Sequence, residues 1–128
     1  MAELKDLLVD RGKLDEELLA EVLLPLAGID PGTQEIVPRE GWKNLTPEGK
    51  ILVVLLGRKA MCAMTEIDLD VESLAAKDVE KATGLKGGTL RPTLTRMKGK
   101  GLITQDKQKR YAVPVTAVLS AKEVLRRK

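Results

Sequence analysis

Apolar residues in the first 27 positions recur at intervals of three and four residues. One stripe of leucines lies within residues 4–8, and a second stripe of leucine and valine follows over residues 14–26. This spacing predicts two amphipathic helical pieces. Gly12 lies between the two stripes, where a glycine weakens a helix, and Pro25 falls close to the expected end of the second piece.

Glycine and proline are frequent in residues 28–42, which therefore predict a loop. The tripeptide Asp-Pro-Gly at residues 30–32 predicts a turn within it. Residues 35–37 predict a short extended piece.

A helix start follows this loop. Thr46 can act as the N-cap, Pro47 suits the first helical position, and Glu48 complements the helix dipole. We expect this helix to continue to about Met64. Its centre at residues 51–56, Ile-Leu-Val-Val-Leu-Leu, is apolar on every side, so it requires burial on more than one face.

Two arrangements would bury such a helix. One face would pack on the C-terminal part of the chain, and the other on residues 1–45 or on a partner subunit. We expect packing within the chain, whose 128 residues suit one domain or a small domain with an extension. We assign residues 1–45 to an N-terminal helical extension with its loop, and residues 46–128 to the main domain.

Apolar and acidic residues alternate over residues 65–73, which predicts a short extended segment. The acidic row does not fit a calcium-binding EF-hand loop, because the sixth position lacks glycine and the twelfth lacks glutamate. We expect a solvent-exposed acidic edge instead.

The last third of the chain alternates between helical and strand patterns. Residues 75–85 predict a short helix that ends at Gly84. A second helix is expected from about Thr89 to Lys98. Two strand-like segments then flank a polar tip at residues 106–109.

Pro114 indicates that the second of these strands ends there or lies at an edge. The final helix covers residues 116–128. It is expected to bring Val118, Leu119 and Leu125 to one side, together with Lys122.

The predicted helix that begins at Thr89 has two contrasting faces. Leu90, Leu94 and Met97 lie at i, i+4 and i+7 and form one buried stripe. With Thr89 as the N-cap, Pro92 would occupy the third helical position, where its missing N–H costs no hydrogen bond. The opposite face is narrow, cationic and rich in hydroxyl groups.

Charge is distributed unevenly along the chain. Residues 81–128 carry 13 Lys/Arg and 2 Asp/Glu, a balance of +11, whereas residues 1–80 carry 9 and 17, a balance of −8. A basic third on an acidic remainder indicates a surface that faces a polyanion, unless it is merely a solvated basic face.

Composition limits the chemistry that the chain can perform. Cys62 is the single cysteine, which excludes an intrachain disulfide, suggests a buried thiol and favours a cytoplasmic protein. Histidine is absent, which excludes histidine triads and histidine metal ligands. There is no signal-peptide pattern, and the longest apolar run is too short to span a bilayer. We expect no metal, no cofactor and no membrane partner.

The glycine-rich sequence Gly-Leu-Lys-Gly-Gly at residues 84–88 suggests the phosphate-binding loop of an enzyme. It lacks the G-x-x-x-x-G-K-[ST] spacing of a phosphate-binding loop and follows no buried parallel strand. No nucleophile lies beside a base. We expect that this chain is not an enzyme.

Residues 83–103, TGLKGGTLRPTLTRMKGKGLI, resemble the helix-turn-helix of MarR-type and especially PadR-type regulators. In those families the recognition helix commonly has the pattern Gly-Thr-Leu-x-Pro-x-Leu-x-Arg-Leu and ends before Gly-Leu-Ile. Those places are occupied without a gap, with methionine at the last leucine, by Gly88, Thr89, Leu90, Pro92, Leu94, Arg96, Met97, Gly101, Leu102 and Ile103. The likeness covers residues 74–113 and is absent from residues 1–45, and the wing is shorter than in PadR proteins. The general character of the sequence resembles that of archaeal DNA-binding proteins.

This resemblance implies a mainly α fold with a small β-hairpin wing: a winged helix-turn-helix at residues 46–128 with an N-terminal helical extension. It implies sequence-specific binding of double-stranded DNA by a transcriptional regulator. The helix at about residues 89–98 would enter the major groove, and the wing at about residues 104–111 would contact phosphate or the adjacent minor groove. The candidate base-reading residues are Thr89, Arg91, Thr95 and Arg96. The candidate phosphate contacts are Lys86, Lys98, Lys100, Lys107, Lys109 and Arg110.

The main alternative is a winged-helix protein–protein adaptor, or a non-catalytic subunit of a replication, repair or transcription complex. RNA is disfavoured because Trp42 and Tyr111, the only aromatic residues, do not lie on the cationic face. A homodimer would suit palindromic half-sites, with residues 1–45 or the last helix at the interface.

Overall fold

The structure is a computed structural model that describes Leu4 and residues 11–64 and 72–126. Over this part of the chain it is mainly helical with two small antiparallel sheets, which confirms the mainly α fold class. The helices are α1 (Arg11–Leu23), α2 (Pro47–Ala63), α3 (Ala76–Thr83), α4 (Gly87–Gly99) and α5 (Val118–Arg126). Short 3-10 helices at Glu40–Asn44 and Val115–Ala117 precede α2 and α5.

The two sheets lie in different parts of the sequence. The strands are β1 (Ala27–Asp30), β2 (Glu35–Pro38), β3 (Leu74–Ala75), β4 (Thr104–Gln105) and β5 (Arg110–Ala112). The first sheet is the hairpin β1–β2, and the second has the order β3-β5-β4. The pairing of β4 with β5 confirms the predicted hairpin, and β5 ends two residues before Pro114, as that proline requires.

The helix α2 is the centre of the core. Its start is as predicted, because the hydroxyl of Thr46 accepts the N–H of Gly49 at 3.1 Å and Pro47 is the first helical residue. Residues 51–56 are all exposed by 1% or less. Helices α1, α3, α4 and α5 all pack on α2, so it is surrounded by the chain's own elements.

The N-terminal elements share this core. Leu19 and Leu23 of α1 and Ala27 of β1 belong to the same buried cluster as Ile51 and Leu55 of α2. The expected packing of the N-terminal region on α2 is therefore present in its described part. The division of the chain at residue 45 stays a prediction.

The loop predicted at residues 28–42 is a β-hairpin as far as Pro38. The predicted turn and the predicted extended piece at residues 35–37 are confirmed, whereas the first strand was not predicted. The turn forms because Asp30 accepts the N–H groups of Gly32 at 2.9 Å and Thr33 at 3.4 Å, while Gln34 adopts a left-handed φ of 58°. Four residue pairs, from Ala27 with Pro38 to Asp30 with Glu35, then join the two strands.

Two further expectations need correction. Gly12 is the second residue of α1, and the predicted break between it and the first leucine stripe lies outside the described residues. Leu119 does not join the apolar side of α5, because it is 66% exposed, and Lys122 instead pairs with Glu21 of α1 at 3.3 Å. Cys62, expected to be buried, is half-buried. The expected stripe at residues 4–8 and the alternating segment at residues 65–73 lie almost wholly outside the described residues.

The hairpin docks on α2 at Gly57. This buried glycine has no side chain, and a methyl group there would overlap Cδ1 of Ile36 in β2. We expect Gly57→Val to destabilise the protein by about 1–3 kcal/mol, because the added methyl groups overpack the contact. Urea unfolding of the single variant measures this cost.

The matched test adds Ile36→Ala, which removes the side chain that Gly57 accommodates. We expect Gly57→Val to cost clearly less in the Ile36→Ala background than in the parent protein. An equal cost in both backgrounds would show that Ile36 does not restrict this position.

Candidate nucleic-acid interface

A short turn at residues 84–86 connects α3 to α4. The hydroxyl of Thr83 donates to the carbonyl of Val79 at 2.7 Å and accepts the N–H of Leu85 at 3.2 Å. Gly84 ends α3 with a φ of 74°, a left-handed conformation that glycine adopts at little cost. Both helices then pack on α2.

The start of α4 differs from the prediction. Lys86 is the N-cap, and the helix begins at Gly87, two residues before the predicted cap at Thr89. The N–H of Thr89 donates to the carbonyl of Lys86 at 2.9 Å, so Thr89 already lies within the first turn. Pro92 is consequently inside the helix and cannot donate to the carbonyl of Gly88.

The buried stripe of α4 is as predicted. Leu90, Leu94 and Met97 are each exposed by 1% or less. Thr93 is also buried, and sequence periodicity alone did not select it. Its hydroxyl donates to the carbonyl of Thr89 at 2.7 Å, which satisfies the polar group within the helix.

The opposite face of α4 carries the predicted base-reading residues. Thr89, Arg91, Thr95 and Arg96 are all exposed. The hydroxyl of Thr95 donates to the carbonyl of Arg91 at 3.1 Å and keeps its acceptor capacity. Within the described residues, the guanidinium of Arg91 makes no hydrogen bond or ion pair. Arg91 is therefore available to a partner.

One flank of α4 is paired with α2. The carboxylate of Glu48 lies 4.0 Å from Nε of Arg96 and 3.6 Å from Nζ of Lys100. The side chain of Glu48 is 14% exposed, whereas those of Arg96 and Lys100 are 57% and 54% exposed. Each pair therefore contributes at most about 1 kcal/mol to stability. Sequence analysis assigned Glu48 only to the helix dipole, because no local signal connects it with α4.

The other flank of α4 is linked to the β4–β5 hairpin. Nζ of Lys98 donates to Oε1 of Gln105 at 3.0 Å, and Nε2 of Gln105 donates to the hydroxyl of Tyr111 at 3.2 Å. The hydrogen bond from the exposed Lys98 therefore links α4 to the β4–β5 hairpin. Gln105 was not predicted as part of the site.

The end of α4 directs the chain into β4. The N–H groups of Gly101 and Leu102 donate to the carbonyls of Lys98 and Met97, each at 3.1 Å. Gly101 has a φ of 77°, and this bonding pattern is a Schellman motif. It orients β4, and with it the hairpin, relative to the cationic face.

The hairpin tip is ordered by Asp106. Its carboxylate accepts the N–H groups of Gln108 at 2.9 Å and Arg110 at 3.0 Å. Lys109 occupies a left-handed conformation with a φ of 63°. Lys107 and Lys109, the predicted phosphate contacts, are exposed at this tip.

Two of the remaining predicted cations differ in position. Lys86 is exposed at the N-cap of α4. Arg110 instead lines a cavity of about 550 Å³ together with Asp78 and Lys81 of α3. The structure therefore groups Arg110 with α3 and not with the lysines of the tip.

A separate groove lies on the N-terminal side of the molecule. It has a volume of about 700 Å³ and is bounded by α1, the β1–β2 hairpin and the end of α2. Arg39 lies at its margin, and Nη1 of Arg39 donates to the carbonyl of Leu24 at 2.7 Å. This groove contains none of the predicted site residues.

Comparison of the chain with protein-family models, with curated proteins and with solved structures finds no match in any of the three. Among residues 11–64 and 72–126, no helix is both long enough and apolar enough to cross a membrane.

Proposed function

We propose that residues 46–128 form a winged helix-turn-helix domain that binds double-stranded DNA sequence-specifically, and that the protein is a cytoplasmic transcriptional regulator rather than an enzyme. In this proposal α4 is the recognition helix and the β4–β5 hairpin is the wing. The observation that carries the proposal is the exposed face of α4. It presents arginine and threonine with no exposed large apolar residue.

The order of elements supports the winged-helix assignment. Helix α2 is followed by β3, the two helices α3 and α4, and the hairpin β4–β5. Pairing of β3 with β5 returns the hairpin to the strand before α3. In winged helix-turn-helix domains the second helix of the helix-turn-helix enters the major groove.

The chemistry of the exposed face supports DNA as the partner. Arginine forms bidentate hydrogen bonds to guanine, and threonine contacts either bases or phosphates. Exposed lysines at the N-cap of α4 and at the hairpin tip add further positive charge to this part of the chain. A surface built for protein partners would instead be expected to expose aromatic or aliphatic anchors.

The first test is selection of a preferred site from random-sequence duplex, followed by binding measurements on variants. We expect Arg91→Ala to weaken binding to the preferred site by about 1–3 kcal/mol and to relax its sequence preference, because a base-edge contact is lost. Fluorescence anisotropy with preferred and scrambled duplexes measures both effects. Lys43→Ala removes an exposed cation far from α4 in sequence and serves as the control.

The hairpin lysines should behave differently. We expect Lys107→Ala and Lys109→Ala to weaken binding to the preferred and the scrambled duplex about equally. Each should also reduce the slope of log K against log salt by about 0.9, because a phosphate contact carries no sequence information. A salt titration of each variant measures the slope.

The adaptor alternative predicts another pattern. Affinity would be weak for every duplex, and replacement of Arg91 and Arg96 together would leave it unchanged. A folded Arg91→Ala/Arg96→Ala variant that binds duplex as tightly as the parent would refute the proposed role of α4.

A further inference from the structure

Glu48 is the one carboxylate that contacts the cationic face of α4 in the described part of the chain. It lies in the first turn of α2, directly after Pro47, and its side chain is 14% exposed. Its position is fixed because the start of α2 is capped by Thr46 and packed into the core. The two cations that it pairs with are much more exposed and therefore freer to move.

The carboxylate of Glu48 lies 4.0 Å from Nε of Arg96, the nitrogen next to the aliphatic stem, which is an ion-pair distance and too long for a hydrogen bond. Within the described residues, no hydrogen bond occupies the terminal nitrogens Nη1 and Nη2. These terminal nitrogens are the ones that form an end-on bidentate contact with the O6 and N7 atoms of guanine. A carboxylate behind Nε can therefore orient the guanidinium without using the groups that read a base.

We propose that Glu48 is a positioning residue that sets the sequence preference of the protein. Glu48 restrains Arg96 so that the terminal nitrogens of Arg96 face a base edge. It also reduces the attraction of Arg96 and Lys100 for the phosphate backbone, whatever the sequence of the duplex. This inference rests on the proposed function, because it requires α4 to contact duplex DNA.

The two effects of Glu48 have opposite consequences when its charge is removed. Restraint of Arg96 reduces the conformational-entropy cost of forming a base contact. Loss of this restraint should therefore weaken binding to the preferred duplex. Removal of a negative charge beside two cations should strengthen binding to every phosphate backbone. A variant that merely damages the fold would weaken both kinds of binding.

The experiment compares the full-length parent with Glu48→Gln, which keeps the size and shape of the side chain. We expect the ratio of affinities for preferred and scrambled duplexes to fall by up to about fivefold, which is the most that an exposed ion pair of this kind can supply. We also expect affinity for the scrambled duplex to rise, with a slope of log K against log salt steeper by about 0.9. A cooperative thermal transition confirms that the variant is folded.

Glu21→Gln is the matched control, since Glu21 is also an ion-paired glutamate and its replacement changes the net charge equally. We expect it to leave the affinity ratio unchanged. In an Arg96→Gln background, Glu48→Gln should no longer alter the ratio, because the restrained side chain is absent.

The outcomes separate this inference from the proposed function. If the parent protein prefers no duplex over a scrambled one, both are overturned. If the parent has a preferred duplex and Glu48→Gln keeps the same affinity ratio, only the role of Glu48 is overturned. An equal change in the ratio with Glu21→Gln would also overturn it, because net charge would then be the cause.

Discussion

Replacement of Leu94 by alanine is expected to destabilise the protein by about 2–5 kcal/mol. Leu94 is 1% exposed in the buried stripe of α4, between Leu90 and Met97, and belongs to the same core cluster as α2. Truncation loses the transfer free energy of the removed methyl groups and leaves a cavity that a packed helix cannot close. Urea unfolding of the parent and the variant, monitored by circular dichroism, measures the difference in the free energy of unfolding.

Leu119→Ala is the control for this prediction. Leu119 is 66% exposed on α5, so the same chemical change should shift stability by less than about 0.5 kcal/mol. Equal effects of the two substitutions would contradict the arrangement of the core described above.

Deletion of residues 1–45 is expected to abolish cooperative folding of the remainder. Leu19, Leu23 and Ala27 are buried in one cluster with Ile51 and Leu55 of α2. Burial of a leucine side chain is worth about 1.5–3 kcal/mol, so loss of the whole N-terminal contact approaches the entire stability of an ordinary domain. The fragment 46–128 should aggregate or melt without a cooperative transition, because the apolar surface of α2 would face water.

Size-exclusion chromatography and differential scanning calorimetry of the fragment check this expectation. Leu23→Ala in the full chain is a milder probe of the same contact and should cost about 2–5 kcal/mol. A soluble fragment with a sharp melting transition would show that residues 46–128 are stable without the N-terminal region.

Several features of this protein were determined by its sequence alone. The start of α2 follows from Thr46 and Pro47, and the buried stripe of α4 follows from the spacing of Leu90, Leu94 and Met97. Capping and periodicity are properties of neighbouring residues, so they can be recognised without knowledge of the fold. The all-apolar centre of α2 likewise required burial on every side, and the structure supplies it.

Other features were decided only by tertiary structure. The first strand of the N-terminal hairpin gave no signal of its own, and its partner Ile36 packs where Gly57 of α2 leaves room. Helix α4 extends back to Gly87 and includes Pro92, because packing on α2 and α3 outweighs the unfavourable helix propensities of glycine and proline. The pairing of Glu48 with Arg96 and Lys100 joins residues far apart in the chain. Local propensity is a short-range quantity, whereas such contacts depend on how the helices cross, and only the packed core fixes that geometry.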